Sequence, residues 1–128
     1  MRTPDTKALE AAAALARAIQ SSAEWREVVS AQHAAKGDTR FGKMVARQEE
    51  LLRNERGRPA GGQGLGAEEV VEMMALRSQI QGHELYIRQQ GAWEALVGLL
   101  QGVNRVISGD LGMDFASNAA PRRGGCCG

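Results

Sequence analysis

Apolar positions recur along this chain at intervals of three and four, and nowhere alternate at an interval of two. The first run sets Leu9, Ala12, Ala16 and Ile19 on one narrow stripe of mostly small side chains, which permit close helix approach. Thr3-Pro4-Asp5 just before it carries a helix-start signal: a hydroxyl to cap, a proline whose missing N–H costs nothing there, and an acid near the positive dipole end. A first helix is therefore expected from about Pro4. Ser21 and Glu24 have the spacing of a capping box, which predicts a restart before a second apolar stretch with Trp25, Val28 and Val29. That stretch should end near Lys36-Gly37, with Gly37 left-handed at C′ and Asp38 as the next N-cap.

In a third helix Phe41, Met44, Val45, Gln48, Leu51 and Leu52 share one face, while Lys43, Arg47, Glu49, Glu50 and Arg53 point largely away. Gly57 to Gly66 holds five glycines and a proline in ten residues and reads as a loop. It lacks the Gly-Lys-Ser/Thr ending of a phosphate-binding loop, and no strand precedes it. Ala67-Glu68-Glu69 opens a shorter helix with Val70, Met73, Met74, Leu76 and Ile80 on its apolar side, ended by Gly82. From His83 the longest helix carries Leu85, Gln89, Trp93, Leu96, Leu100, Val103 and Ile107 at a near-heptad period, the form of a packing seam. The pattern fades after Gly112. The expected fold is all-α, with four to five helices in an antiparallel bundle or hairpin and no β-sheet. Residues 1–112 form its single domain, and 113–128 a flexible tail that ends in a cysteine pair.

Composition supports helices and adds a need for company. Of 128 residues 43% are hydrophobic but only 4% aromatic, with abundant alanine and few β-branched side chains, so little apolar area is available per helix. A homo-oligomer, dimer or higher, is expected to complete the core through two surfaces. One is the Leu9, Ala12, Ala16, Ile19 stripe; the other is the seam of Trp93, Leu96, Leu100, Val103 and Ile107. Sixteen Lys and Arg against fifteen Asp and Glu leave a net charge of +1, too balanced for direct nucleic-acid binding by phosphate neutralisation. No run approaches the roughly 20 apolar residues of a membrane span, and the first residues lack the pattern of a signal peptide, so a cytoplasmic protein with no membrane association is expected.

Chemistry-bearing residues are sparse. His33 and His83 lie on different helices without ligand-spaced companions, and read as surface or capping residues. The serines lack a nucleophile elbow, and the adjacent pairs Glu49-Glu50 and Glu68-Glu69 diverge by about 100° around a helix. No catalytic constellation emerges, so a non-enzyme is expected. Met73 and Met74 fit core packing at their helical spacing with Val70 and Ile80, or else an adaptable binding surface. Cys126 and Cys127 are adjacent near the end, which excludes a staple between helices and leaves a metal site, a redox tail or an inert end. As soft ligands they fill only half of a four-ligand site, so partner chains would have to supply the rest.

The order of these segments carries a resemblance. An N-terminal helix from Ala8-Leu9 through Ile19, the break at Ser22-Ala23-Glu24-Trp25 and the restart at Asp38 come first. An amphipathic helix, the glycine-rich loop, Glu68-Glu69, the stop at Gln81-Gly82 and a long helix through Val103-Asn104-Arg105-Val106-Ile107-Ser108 follow. Over about residues 5 to 115 this progression resembles the YlbF/YmcA family, small helical proteins associated with control of competence, biofilm formation and sporulation in bacteria. The resemblance implies a non-enzymatic, self-associating regulatory protein. It also implies related helical subunits and a YaaT-type partner, in a complex with iron–sulfur clusters that assists an endoribonuclease in maturing messenger RNA. Cys126 and Cys127 match the cysteine-containing tails of several members, which implies a cluster shared between subunits. The alternative is a purely structural helical homo-oligomer with no metal and an inert tail.

Overall fold

A computed structural model describes residues 3–57 and 64–121. Among them are six helices and no strand: α1 (Thr6–Gln20), α2 (Ala23–Gly37), α3 (Thr39–Arg56), α4 (Ala67–Gln81), α5 (Glu84–Leu111) and α6 (Phe115–Ala119). The five long helices are those the periodicity predicts, but their ends are set by different residues. Asp5 rather than Thr3 caps α1, its carboxylate accepting from the Lys7 N–H at 2.8 Å, so the helix begins after Pro4. An anionic acceptor at the positive helix end outcompetes the hydroxyl. Ser22 rather than Ser21 caps α2: its Oγ accepts from the Trp25 N–H at 3.1 Å and donates to the Ile19 carbonyl at 2.6 Å. One hydroxyl thus closes α1 and opens α2.

The next break is a single residue. Asp38 is extended (φ −94°, ψ 109°) and serves as C-cap of α2 and N-cap of α3, where it accepts from the Phe41 N–H at 2.7 Å. Gly37 therefore stays helical instead of turning left-handed; among the described residues only Gly112, after α5, has a positive φ, of 73°. In the returning leg α4 ends at Gly82, and His83 caps α5 with Nδ1 accepting from the Leu85 N–H at 3.1 Å. Both breaks lie at one level, because the His83 ring stacks obliquely on Phe41 with centroids 4.7 Å apart.

That coincidence defines the architecture. α2 lies along α5 and α3 along α4. The cross-pairs Glu27 with Arg88 and Arg47 with Glu72 match rising numbers on one leg to falling numbers on the other, so the legs are antiparallel. The chain is one long hairpin, α1-α2-α3 out and α4-α5 back. The two legs join between α3 and α4, where residues 58–63 lie outside the described residues. The main cluster sits at the shared break, where Ala35, Phe41 and Ile80 are buried against Met44, Val45, Leu85 and Tyr86. Ala31, Ala92 and Leu96 are also buried, and Leu51 is fully so. Past Gly112 the chain differs from the free tail expected, for α6 folds back onto α5.

Two helices in thickness give little interior. With so few buried side chains each one matters. Leu51→Ala should lower the unfolding free energy by about 2–5 kcal/mol, the usual range for emptying a buried leucine site. Urea denaturation followed by circular dichroism measures it, and a change within about 0.5 kcal/mol, typical of a surface site, would contradict the burial.

Candidate interaction surface

The feature that sets α5 apart is charge. Its charged residues are Glu84, Arg88, Glu94, Arg105 and Asp110, and none occurs from Ala95 through Asn104. A helix segment neutral on every side is normally covered on every side. Here α2 covers one face, burying Ala92 and Leu96, and α6 leans on another near Asn104. Within the segment Leu100 is 39% exposed, and large apolar side chains stand in the open on either side of it: Trp93 is 53% exposed, Ile87 57% and Val106 67%.

The residues expected to form association surfaces are distributed unevenly. On α1, Leu9, Ala12 and Ala16 are exposed and Ile19 is half-buried. The helix approaches α5 through Leu15 instead, which lines an open groove with Gly98, Gly102, Val103 and Val106. On α5, Trp93 and Leu100 are exposed, Val103 and Ile107 half-buried, and Leu96 buried within its own chain. Cys126 and Cys127 lie outside the described residues, and no group of three or more His, Cys, Asp or Glu within the described residues is placed to hold a metal ion. His83 has the capping role read from sequence, and His33 stays exposed on α2 beside Trp25 and Val29.

Residues outside the two expected association surfaces extend the one around Trp93. Val28 and Gln32 of α2 meet Tyr86, Gln89 and Trp93 of α5 around a shallow cavity of about 220 Å³. Next to it, Phe41, Val45, Ile80 and Tyr86 line a second of about 440 Å³ at the break between the hairpin's halves. The signal for this strip was present as uncharged Gln32, Gln89 and Gln90 around an aromatic. Charge-poor, aromatic-bearing patches of this kind are characteristic of interface cores.

A helical chain of this layout, with long broken legs and a charge-poor central helix, matches one described family. The family model for control of competence regulator ComK, YlbF/YmcA, covers residues 8–111. The chain belongs to the YlbF/YmcA family. Membership carries a role in control of competence regulation. No curated protein and no solved structure gives a significant match. Among the described residues no helix is long and apolar enough to cross a membrane.

In this YlbF/YmcA chain two ion pairs hold the legs in register on either side of the shared break. Arg47, expected to point away, grips Glu72 of α4 through two bonds of 2.7 and 2.9 Å and also pairs with Glu50 at 3.0 Å. Its long side chain lets a residue at the rim of α3 reach the neighbouring helix. Arg88 of α5 donates to Glu27 at 2.8 Å and to the Ser30 hydroxyl at 2.9 Å. At the far end Asn104 Oδ1 accepts from the Ala116 N–H at 3.0 Å and Ser108 Oγ from the Phe115 N–H at 2.9 Å, latching α6 to α5. Asp114 accepts from Ser117 Oγ and Asn104 Nδ2.

The guanidinium bonds hold the Glu72 and Glu27 carboxyls below the usual carboxylate range, and the bonds from Ser117 and Asn104 do the same for Asp114. A carboxyl whose folded pKa is depressed contributes stability above its unfolded pKa, and that contribution is lost as pH falls through the lowered folded value. The melting temperature should accordingly drop as pH falls below about 4.3, the ordinary glutamate value. The drop should be smaller in a Glu27→Gln, Glu72→Gln double variant, whose melting temperature at neutral pH starts lower. Thermal melts at pH 7 and pH 3 test this; an unchanged acid sensitivity would show that the pairs contribute nothing.

Proposed function

We propose that this protein is a non-enzymatic bacterial regulatory adaptor that acts through protein contacts, both with copies of itself and with related helical subunits and a YaaT-type partner. In this reading the assembly modulates endoribonuclease-dependent maturation of messenger RNA, and through it competence and related developmental programmes. One observation carries the adaptor reading. The central helix is neutral all round for ten residues, yet its own chain covers only part of it, leaving Leu100 39% exposed within the stretch and Trp93 in the open two residues before it. Such a surface suits docking, since charge depletion removes the desolvation penalty that charged groups would impose. An active site would instead gather titratable groups around a pocket, and the larger cavities here are lined mainly by apolar and neutral side chains.

Fit to an iron–sulfur cluster is a matter of donor count. The chain has two cysteines, half of the four ligands such clusters take, and the described residues add no cluster of donors. Cys126 and Cys127 would therefore contribute to a centre completed by partner chains, and when bound that centre would supply redox or structural chemistry to the assembly.

Affinity purification from the native cell under anaerobic conditions, with mass spectrometry and iron analysis on one sample, tests these points together. The expected result is co-purification with larger helical partners, and with iron that is lost in Cys126→Ser, Cys127→Ser. Trp93→Ala should reduce partner recovery at least tenfold, as loss of a central aromatic contact does, while leaving the helical signal intact. Full partner recovery with Trp93→Ala would remove that surface from the reading. A complex without iron, with RNA processing unchanged in the serine variants, would leave a helical scaffold with an inert tail.

A further inference from the structure

Beyond α5 the chain turns at Gly112, which takes a left-handed φ of 73°, and α6 comes back onto the helix the chain has just left. Its five residues are too few to stand alone, since helices under about 12 residues are marginal in water. α5 supplies what is missing. Ser108 Oγ accepts from the Phe115 N–H at 2.9 Å and Asn104 Oδ1 from the Ala116 N–H at 3.0 Å, while Asp114 at the N-cap makes no side-chain cap bond of its own. Two of the unpaired N–H groups that open any helix are thus satisfied across the contact. Asn104 and Ser108 stand one turn apart on α5, and Ser108 Oγ donates to Asn104 Oδ1 at 3.2 Å, so the two acceptors are held as one unit. Folding of α6 and its seating on α5 are therefore a single event.

The seat is polar and open to solvent. α6 buries no residue, and its one large side chain, Phe115, is 41% exposed. The bonds to Asn104 and Ser108 are exposed as well. Such bonds contribute little net, because water replaces them on opening, and segments held this way are the first to open. The place they hold is not idle surface. Val97, Leu100, Gln101, Asn104 and Arg105 of α5 form a groove of about 450 Å³ with Ala116 of α6 as one wall. From Val97 to Arg105 is about 12 Å along the helix, room for about two turns of another helix. Further along the same face come Ser108 and Leu111, the latter 54% exposed, so without α6 the face would run for about 21 Å.

We propose that α6 is a strap that shuts one end of the neutral α5 face: seated, it confines the groove to two turns, and released about Gly112 it opens the face to a longer helix of a partner protein. The role in docking rests on the adaptor reading above and gives that surface a closed and an open state. A partner helix laid from Val97 to Leu111 needs the place α6 occupies, and α6 gives up only solvent-exposed hydrogen bonds to leave it. Arg105, which has no ion-pair partner among the described residues, stands at the rim of the groove and suits an acidic side chain on that helix. Docking and strap release are then linked, each favouring the other.

Hydrogen exchange and an apolar dye test the strap on the full chain. In Asn104→Ala, Ser108→Ala the Phe115 and Ala116 amides should exchange about tenfold faster or more, two hydrogen bonds being lost. The helical signal should hold, because alanine favours α5. The fluorescence of anilinonaphthalene sulfonate should rise about twofold on this variant, as it does on newly exposed apolar surface. Adding Leu100→Gln should remove the rise, which places the dye on α5 rather than on Phe115. In the anaerobic purification the unlatched variant should recover more of the partners identified with the unaltered protein. Unchanged exchange overturns the strap, and so does faster exchange without a dye signal or with one that persists in Leu100→Gln. Partner recovery that stays level or falls while the dye signal rises overturns the link to docking. An unaltered protein that captures no partner overturns the adaptor reading instead, and exchange and dye binding still decide whether α6 covers α5.

Discussion

A helix packed in a layer only two helices thick can bury one stripe of its surface, and everything else it carries must meet solvent or another molecule. That constraint governs this chain. The outgoing leg satisfies it only in part, for α3 surrounds Phe41 and Leu51 with charge while Leu9 and Val29 stay exposed. The returning leg exposes more. α4 exposes Val71 and Met74, each at 67%, and α5 exposes Trp93, Ile87 and Val106. The asymmetry between the legs, more than any single residue, sets most of the exposed apolar surface on the second leg.

What keeps so thin a structure in register is the alignment of its two breaks. Asp38 interrupts one leg and Gly82-His83 the other, and the Phe41–His83 contact holds the interruptions side by side with Ala35 and Ile80 buried beneath. A break in one leg alone would leave its partner helix unsupported across the gap. Here the bend is common to both, and the bidentate Arg47–Glu72 and Arg88–Glu27 pairs lie one on each side of it. Exposed ion pairs add little stability, but two of them flanking a hinge oppose sliding of one leg along the other, which apolar contacts alone resist weakly.

Helix existence was legible in the sequence because the three-and-four periodicity is a local property. The ends were less so, since neighbouring residues compete for the same cap: Asp5 displaces Thr3, Ser22 displaces Ser21, and the extended Asp38 removes any need for a left-handed Gly37. α6 was missed for a different reason. Phe115-Ala116-Ser117-Asn118-Ala119 has no apolar stripe, and its helix is held by Asn104 and Ser108, whose contribution depends on tertiary proximity. The heptad reading of α5 placed Leu96 and Leu100 on one seam, yet one is buried and the other 39% exposed. Periodicity locates a seam but does not say which partner closes each part of it.

The glycines of α5 carry an energetic cost of their own. Glycine inside a helix costs about 0.8–1 kcal/mol relative to alanine, so four of them weaken α5 by about 3–4 kcal/mol, a large share of the 5–15 kcal/mol that stabilises a typical domain. At three of these positions alanine would fit with nothing inside the chain to obstruct it. The longest helix in the fold thus carries this penalty without a large core to support it. What the glycines do leave is room: Gly98 and Gly102 lie in the open groove that Leu15 of α1 lines, where side chains would fill space now empty. The weakness of α5 in isolation and its openness to close contact therefore have one origin in the sequence.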